Sequence, residues 1–298
     1  MRPERESQDR YASLRRLTAP YVLRRRKTDP AISQELPTKT ELEVHCHLTK
    51  LQVALYQQAV DELAAVVEAA SPGERVGCIL ASLHRFKQIC NHPSHWLQDG
   101  RYDQADSGKF LRLRELGERL ADRGEKALVF TQYKQIAEPL ADLLAPVFGR
   151  RGLVMSSEVD LSQRRGLVHR FQHDPKAPFL VMTLKTGGAG LHLTAASHVI
   201  HFDRWWNPAV ENQATDRAFR LGQSKNVFVH KFLCIGTLEE KIDALLKRKL
   251  SLSEQVLATE DEAWLTRMTK DELLATVTLD LQRMMLVGEE ASWQSASK

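Results

Sequence analysis

Hydrophobic and polar positions change their spacing along the chain, and the change divides it into two parts. Over residues 49–70 apolar side chains recur at helical spacing, and a second such pattern covers about 75–90. From 107 to about 250, short and continuously apolar runs alternate with helical patterns. Such runs are typical of strands buried on both faces. This part therefore predicts an α/β fold, a parallel sheet with helices on both faces.

Local signals set the bounds of these elements. Thr49 is a predicted N-cap, and Asp160 with Gln163 forms a predicted capping box. Asn207 followed by Pro208 predicts a helix that runs to about Leu221. The predicted strands of the sheet are 126–130, 152–155, 179–183, 198–202 and 227–234.

The patterns divide the chain into four segments. Residues 1–48 form an irregular basic seam with a strand-like alternation at 41–47, and 49–106 form a helical insert that ends in a predicted loop at 94–106. Residues 107–250 form the α/β lobe, and 251–298 form an acidic helical tail with a capping box at Thr269 and Glu272.

Charge is distributed unevenly over these segments. The chain of 298 residues carries a net charge of +4, but residues 1–27 alone hold nine basic and three acidic residues, while 251–298 hold four basic and nine acidic ones. The basic residues of the first segment include a cluster at 24–27.

The composition favours an intracellular protein. Its four cysteines are widely spaced without a CxxC pair, so we expect reduced and mostly buried thiols. No apolar run is long enough to span a bilayer, and the first residues lack the apolar stretch of a signal peptide. We expect no membrane partner, and a cytoplasmic, nucleoid-associated location.

A glycine-rich turn follows the strand at 179–183. Residues 186–190 read TGGAG, and glycines just past a parallel strand allow the backbone N–H groups to approach a phosphate closely. Gly188 and Gly190 are therefore candidate nucleotide contacts. A tight strand-to-helix turn explains the glycines equally well.

Three polar residues recur at helical spacing after Asn207. Gln213, Arg217 and Arg220 stand at i, i+4 and i+7, so they would share one face of the predicted helix. One interpretation is a phosphate clamp, since a guanidinium is planar and always charged. The other is a solvated face in which Asp216 and Arg220 form an ion pair of a few tenths of a kcal/mol.

Histidine and cysteine residues give weaker indications. Cys90, His92 and His95 crowd around a helix end, with no fourth ligand nearby, so we predict no metal site. His198 and His201 lie on a predicted strand and are interpreted as packed histidines rather than proton shuttles.

Residues 205–223, WWNPAVENQATDRAFRLGQ, resemble the last motif of the Swi/Snf-type ATPases of helicase superfamily two. Weaker resemblances to the same family occur in matching order at 182–194 (MTLKTGGAGLHLT), 127–133 (ALVFTQY), 87–93 (KQICNHP), 20–27 (PYVLRRRK) with 36–41 (LPTKTE), and 261–273 (DEAWLTRMTKDEL). The resemblance covers about 18–280. It implies a RecA-like lobe of a DNA-stimulated ATPase that moves along double-stranded DNA.

The resemblance also assigns roles to particular residues. Arg217 and Arg220 would reach the γ-phosphate of ATP, and the nucleotide edge would be lined by Gly188, Gly190, Gln213 and Asp216. Contacts to duplex DNA would come from Thr131, Thr183, Lys185 and Trp206. The tryptophan would lie at the DNA groove, where it could act as a wedge that grips or distorts the duplex. Alternatively, Thr183 only ends its strand, and Trp206 is an ordinary surface or core side chain.

Departures from the family pattern limit this assignment. His192 stands where the family usually has Asn, and residues 155–157 lack a glycine expected in a loop that touches the nucleic acid. The sequence contains no GxxxxGK[ST] loop and no Asp-Glu pair after a strand, the parts that hold ATP and Mg²⁺. We therefore expect the second RecA-like lobe alone, a fragment or the product of a split or truncated gene, whose partner is the N-terminal ATPase lobe.

Two other functions stay open at this point. The chain could be a non-catalytic DNA-binding or regulatory module that retains the fold. An RNA-directed helicase of the same superfamily is a weaker alternative, because the Trp-Asn-Pro turn and the long helical insert argue against it.

Overall fold

The computed structural model describes residues 36–186, 190–205, 207–252 and 268–283. The strands are β1 (Lys39–Cys46), β2 (Ala127–Thr131), β3 (Leu153–Met155), β4 (Phe179–Thr183), β5 (His198–His201) and β6 (Val227–Cys234). The helices are α1 (Lys50–Ala69), α2 (Pro72–Asn91), α3 (Pro93–Leu97), α4 (Gly108–Asp122), α5 (Ala137–Val147), α6 (Leu161–His173), α7 (Pro208–Thr215), α8 (Leu238–Leu252) and α9 (Lys270–Val277).

The six strands form one parallel sheet in the order β1-β6-β5-β2-β4-β3. The strand predicted at 41–47 is β1, which pairs along its whole length with β6, from Lys39 opposite Val227 to Cys46 opposite Cys234. The segment that precedes the helical insert therefore supplies one edge of the sheet. The chain crosses from one side of β2 to the other between β4 and β5, the arrangement at which α/β folds form a ligand crevice.

Alternation along the strands separates two cores. In β2, Val129 packs with the core formed by the insert, α4 and α5, whereas Leu128 and Phe130 pack with the core under α6 and α7. Each face of the sheet is thus covered by helices, as the continuous apolar runs predicted. This is the parallel sheet with helices on both faces that the sequence predicted.

Side-chain caps start the helices where the sequence placed them. Thr49 and Thr269 each complete a capping box, and Asp160 accepts from the Gln163 N–H at 2.8 Å. Ser71, at which the apolar pattern of α1 is predicted to stop, is also the N-cap of α2. Only Ala70 lies between this N-cap and Ala69, the last residue of α1. The predicted loop at 94–106 contains the short helix α3 and a 3₁₀ turn at Gln104–Asp106.

Two glycines permit close contacts between elements. A Cβ on Gly108 would lie 1.6 Å from the carbonyl oxygen of His47, just beyond β1, and a Cβ on Gly152 would lie 2.3 Å from the ring of Phe179. The start of α4 can therefore meet the end of β1 only without a side chain at 108.

The predicted basic seam and acidic tail belong only in part to the described residues. The basic cluster at 24–27 and most of 251–298 lie outside the described residues. Within the described ranges, no helix is long and apolar enough to cross a membrane.

Candidate functional site

The residues singled out in the sequence gather at the carboxyl-terminal edge of the sheet and on the turn after α7. At the ends of β2 and β4 and just beyond β4 they are Thr131, Thr183, Lys185 and Gly190; on α7 and beyond it they are Gln213, Asp216, Arg217 and Arg220. Two further predicted contacts, Gly188 and Trp206, lie outside the described residues.

The helix predicted to reach Leu221 is shorter in the structure. It ends at Thr215, and the N–H groups of Arg217 and Ala218 bond three residues back, to Ala214 and Thr215. The prediction of one helical face shared by Gln213, Arg217 and Arg220 was therefore wrong. The reason is tertiary, because the carbonyl of Arg217 accepts from the N–H of Leu193 at 3.0 Å rather than continuing a helical ladder.

The two arginines occupy different depths of this turn. Arg217 is only 6 % exposed, and within the described residues its Nε–H has no hydrogen-bond partner, whereas Arg220 is half-buried. Burial and the nearby positive charge of Arg220 lower the pKa of Arg217, but a guanidinium stays charged in proteins. Two neighbouring cations, one with a buried unsatisfied donor, form a site complementary to an anion.

The glycine-rich loop after β4 packs against the arginine turn, residues 216–222, which carries Arg217 and Arg220. Gly190 has φ +82°, a conformation that side chains other than glycine rarely adopt, and it is exposed. The bond from Leu193 to Arg217 ties this loop to the turn, and the Gln223 amide donates to the carbonyls of Ala196 and Ala218 at 2.8 and 3.2 Å. Loop and turn therefore form one hydrogen-bonded unit.

Thr131 and Thr183 lie below the surface. Thr131 is fully buried, and its hydroxyl donates to the Asp203 carboxylate. Thr183 is 4 % exposed and shares a hydroxyl–hydroxyl hydrogen bond with Thr186. Lys185, by contrast, is exposed at the sheet edge.

Asp203 joins three elements at this edge, and the sequence analysis missed it. Besides Thr131, its carboxylate accepts from the Gln132 backbone N–H at 2.7 Å and from the Asn91 amide at 3.2 Å. Burial raises the pKa of Asp203 above its usual range, against the opposing charge of Lys109. A charged pair, Asp203 and Arg204, placed directly after a buried apolar run is the signal that could have identified it.

A buried ion pair extends this network. Lys109 donates to Glu239 at 2.7 Å and to the side-chain Oδ1 of Asn91 at 3.1 Å, and the charged side chains of Lys109 and Glu239 are at most 2 % exposed. The other carboxylate oxygen of Glu239 accepts from the N–H of Cys234 at 3.0 Å. The network thereby joins α2, α4 and the start of α8 to the ends of β5 and β6.

Arg204 organises the approach to α7. Its guanidinium bonds Glu211 at 2.7 Å and Asp243 at 2.5 Å, and Glu211 also accepts from the N–H of Trp205 at 2.9 Å. These bonds fix the chain just before Asn207, whose side chain caps α7 through the N–H of Ala209. A buried salt-bridge network thus holds Trp205 against the first turn of α7.

Cys90, His92 and His95 do not bring their ligand atoms together at one point. His92 uses both ring nitrogens, toward the Asp103 carbonyl at 2.7 Å and the Ser94 N–H at 3.0 Å, while His95 packs edge-on against Tyr133. Among the described residues, Cys90 does approach the group Cys234 and Glu239, with ligand atoms within 4.8 Å. In that group, however, the Lys109 ammonium already provides the cation for Glu239.

Comparisons with known proteins match both the sequence motifs and this fold. A family model described as "Helicase conserved C-terminal domain" matches residues 108–222, and one described as "SNF2-related domain" matches residues 2–95. The putative ATP-dependent helicase/translocase YwqA of Bacillus subtilis is 40 % identical over 272 residues, which are 91 % of this chain and 29 % of that protein. The chain spans 16 % to 29 % of the length of the curated relatives compared with it, YwqA among them.

Solved structures give the same result. The SWI2/SNF2 ATPase core of Sulfolobus solfataricus in complex with dsDNA is 37 % identical, with a TM-score of 0.74 over 90 % of this chain and 56 % of that one. The C-terminal domain of the S. solfataricus SWI2/SNF2 ATPase is 35 % identical, with a TM-score of 0.70, and the match covers 81 % of this chain and 99 % of that domain. The chain therefore belongs to the SWI2/SNF2 family of helicase-like ATPases and contains its C-terminal RecA-like lobe.

Proposed function

We propose that this chain is the second lobe of a DNA-dependent ATPase and translocase. It would supply two arginine fingers and contacts to duplex DNA, while an N-terminal lobe, in cis or as a separate chain, completes the ATP site. The observation that carries the proposal is the buried Arg217, whose Nε–H has no partner among the described residues, beside the second cation Arg220.

The arginine turn has the properties that an arginine finger requires. ATP, when bound between two lobes, supplies a γ-phosphoryl group on which negative charge is spread during transfer to water. Preorganised guanidiniums stabilise that charge and contribute about 10³-fold or more to the rate. The backbone of Arg217 is held by Leu193, so little reorganisation would be needed as the lobes close.

The carboxylates at this edge fit poorly with a Mg²⁺ site. Asp203 accepts three hydrogen bonds within the fold, and Glu211 is committed to Arg204 and the Trp205 N–H. Among the described residues, the acidic groups of the site are thus occupied. We therefore assign Mg²⁺ to the N-terminal lobe.

Contacts to duplex DNA would come from the same edge of the sheet. Lys185 is exposed, and Gly190 leaves open space for the approach of a phosphate, since nothing lies within 4 Å of a Cβ built there. The S. solfataricus core that this chain resembles was solved with dsDNA. Thr131 and Thr183 are buried and would therefore shape the DNA-binding loops rather than contact the DNA themselves. Trp206 is proposed as a contact in the DNA groove because of its place in the family motif.

The bond between Leu193 and Arg217 suggests how DNA and ATP are coupled. A phosphate held by the loop after β4 would shift the backbone that also bonds the arginine turn. The loop and the turn would move together, so the arginines would reach the γ-phosphate best when DNA is bound. This accounts for a DNA-stimulated rather than a constitutive ATPase.

The test is to combine the full chain with an N-terminal lobe that carries the GxxxxGK[ST] loop, and to measure ATP hydrolysis with and without duplex DNA. We expect Arg217→Ala and Arg220→Ala to lower kcat by about 10²-fold or more, with DNA affinity changed less than about threefold. Arg114→Ala is the matched control, because Arg114 is exposed on α4 and pairs with Glu118. Equal losses in hydrolysis and DNA binding would contradict the finger role.

The chain by itself provides a second test. Without the first lobe it should bind ATP weakly and hydrolyse none, so appreciable turnover by the chain alone would refute the proposed division of labour. Salt-dependent binding of duplex DNA by the chain, together with no gain in ATPase when the first lobe is added, would instead favour the non-catalytic DNA-binding module.

A further inference from the structure

A cavity lies at the amino-terminal edge of the sheet, opposite the edge that carries the arginine turn. It has a volume of about 420 Å³, opens to solvent and is lined mainly by α4, β1, β5 and β6. His198 and Phe228 mark this edge, as the first residue of β5 and the second residue of β6. The volume is within the range of small-molecule sites, about 300–1,000 Å³.

One side of the cavity is basic. Arg112 and Arg119 of α4 line it together with Arg123, the C-cap residue of that helix, at i, i+7 and i+11. Arg112 pairs with Glu115, but within the described part of the chain neither Arg119 nor Arg123 has an acidic partner. The carboxylate of the lining residue Glu43 is already paired with Lys247.

A relay of three titratable groups ends in the cavity. His198 Nε2 lies 3.0 Å from Glu125, and its Nδ1 lies 3.0 Å from Nε2 of the stacked ring of His230. With Glu125 accepting from His198, the chain of donors assigns the N–H of His230 to Nε2. Nδ1 of His230 then presents a lone pair that no described residue satisfies.

The remaining lining is apolar. Leu116 and Leu120 of α4 face Val44 and Phe228 of the sheet, and Leu42 is 41 % exposed at the rim. A ligand that fits this cavity would therefore have a charged end and an apolar body.

We propose that this cavity binds a small organic anion, whose acidic head lies between the guanidiniums of Arg119 and Arg123 and Nδ1 of His230, and whose apolar body lies against Leu116 and Phe228. Carboxylate and phosphate heads share this chemistry, since both accept charge-assisted hydrogen bonds from guanidinium groups. The site is separate from the proposed ATP and DNA edge and does not depend on that proposal.

Binding should be linked to uptake of a proton by His230. Burial, together with the charges of His198, Arg119 and Arg112, lowers the pKa of His230 to about 4, so its ring is neutral near pH 7. An anion among the arginines offsets those charges and favours the protonated ring, which then donates from Nδ1. Since the bound state takes up the proton, affinity must rise as the pH falls.

Calorimetric titration of the full chain with phenylphosphate and with benzoate tests this proposal, at about pH 7.5 and about pH 5.5. We expect one saturable site for at least one of the two probes, which identifies the preferred head. Its affinity should be higher at the lower pH, with proton uptake seen as a heat that depends on the buffer. Arg119→Ala should weaken binding about tenfold.

Matched probes and variants make the result decisive. Arg114→Ala, on the same helix but paired with Glu118 and outside the cavity, should leave the affinity unchanged. Inorganic phosphate and benzyl alcohol should each bind more weakly than the organic anions. The proposal is overturned by absence of saturable binding at both pH values, by an equal loss in Arg114→Ala, or by equal affinity for either control probe.

Discussion

His201 Nε2 lies 2.9 Å from the hydroxyl of Thr215, so the last residue of β5 is bonded to the last residue of α7. Burial lowers the pKa of His201 to about 4, which keeps the ring neutral, and its Nδ1 has no partner among the described residues. We infer that Nε2–H donates to Thr215. The bond fixes the point at which the chain leaves the helix, two residues before Arg217.

From this bond we predict that His201→Phe, which keeps an aromatic ring beside Phe130, lowers the kcat of the complete two-lobe ATPase about tenfold. Without the hydrogen bond to Thr215 the position of Arg217 is less well fixed, whereas the proposed DNA contact at Lys185 is unchanged. ATPase assays and DNA titrations measure the two effects separately.

Thr215→Val removes the same bond from the other side and provides the control. If His201 acts through Thr215, the two substitutions together should cost little more than either alone. Additive losses would contradict the positioning role. Full activity of His201→Phe alongside inactive Arg217→Ala would refute this role but leave the finger proposal standing.

The buried pair of Lys109 and Glu239 should be sensitive to loss of one partner. Burial by itself lowers the pKa of Lys109, but the Glu239 carboxylate raises it above the usual range, so the ammonium stays charged. We predict that Lys109→Met destabilises the chain by about 3–5 kcal/mol, because Glu239 is left as an unpaired buried charge. Urea unfolding measures the loss.

Two variants separate this effect from ordinary packing. Adding Glu239→Gln to Lys109→Met should recover part of the stability, since no buried charge remains. Arg151→Ala breaks exposed pairs with Glu138 and Asp142 and should cost at most about 1 kcal/mol. A loss as small for Lys109→Met would contradict the argument.

His95 should make the chain sensitive to acid. Burial, with the charges of His92 and Lys109, lowers its pKa to about 3, and neither ring nitrogen has a hydrogen-bond partner among the described residues. The unfolded chain therefore binds a proton at higher pH than the folded one does. Stability should fall as the pH is lowered from about 6.5 toward 3.

We predict that His95→Phe is neutral or stabilising near pH 7 and flattens this decline. The substitution removes two unsatisfied buried polar atoms and keeps a ring against Tyr133. Urea midpoints across the pH range measure both effects. A decline as steep as that of the parent chain would show that His95 does not contribute to it.

Gly108 and Gly166 are predicted to respond in opposite directions to alanine. A Cβ at 108 meets the His47 carbonyl at 1.6 Å, so Gly108→Ala should cost about 3 kcal/mol or more by pushing α4 away from β1. Gly166 is in α6 with nothing within 4 Å of its Cβ, so Gly166→Ala should stabilise by about 0.5–1 kcal/mol. Thermal melting distinguishes the two, and equal shifts would contradict the packing argument.

Much of the fold is encoded locally. Five strands of the sheet are recognisable as apolar runs in the sequence, and the caps at Thr49, Asp160, Asn207 and Thr269 appear where the side chains predict them. A cap or an apolar run depends on residues within a few positions of one another, so a sequence pattern can reveal it. The family motif at 205–223 is local in the same sense.

The sequence by itself therefore determined the fold class, the family and the residues of the arginine turn. Only the tertiary structure decided that α7 ends at Thr215, that Thr131 is buried and that Asp203 joins three elements. The partners involved are far apart in the chain, as with Thr131 and Asp203 at 72 positions or Lys109 and Glu239 at 130. No helical or strand period records such pairs, because they form only when the sheet brings the ends of its strands together.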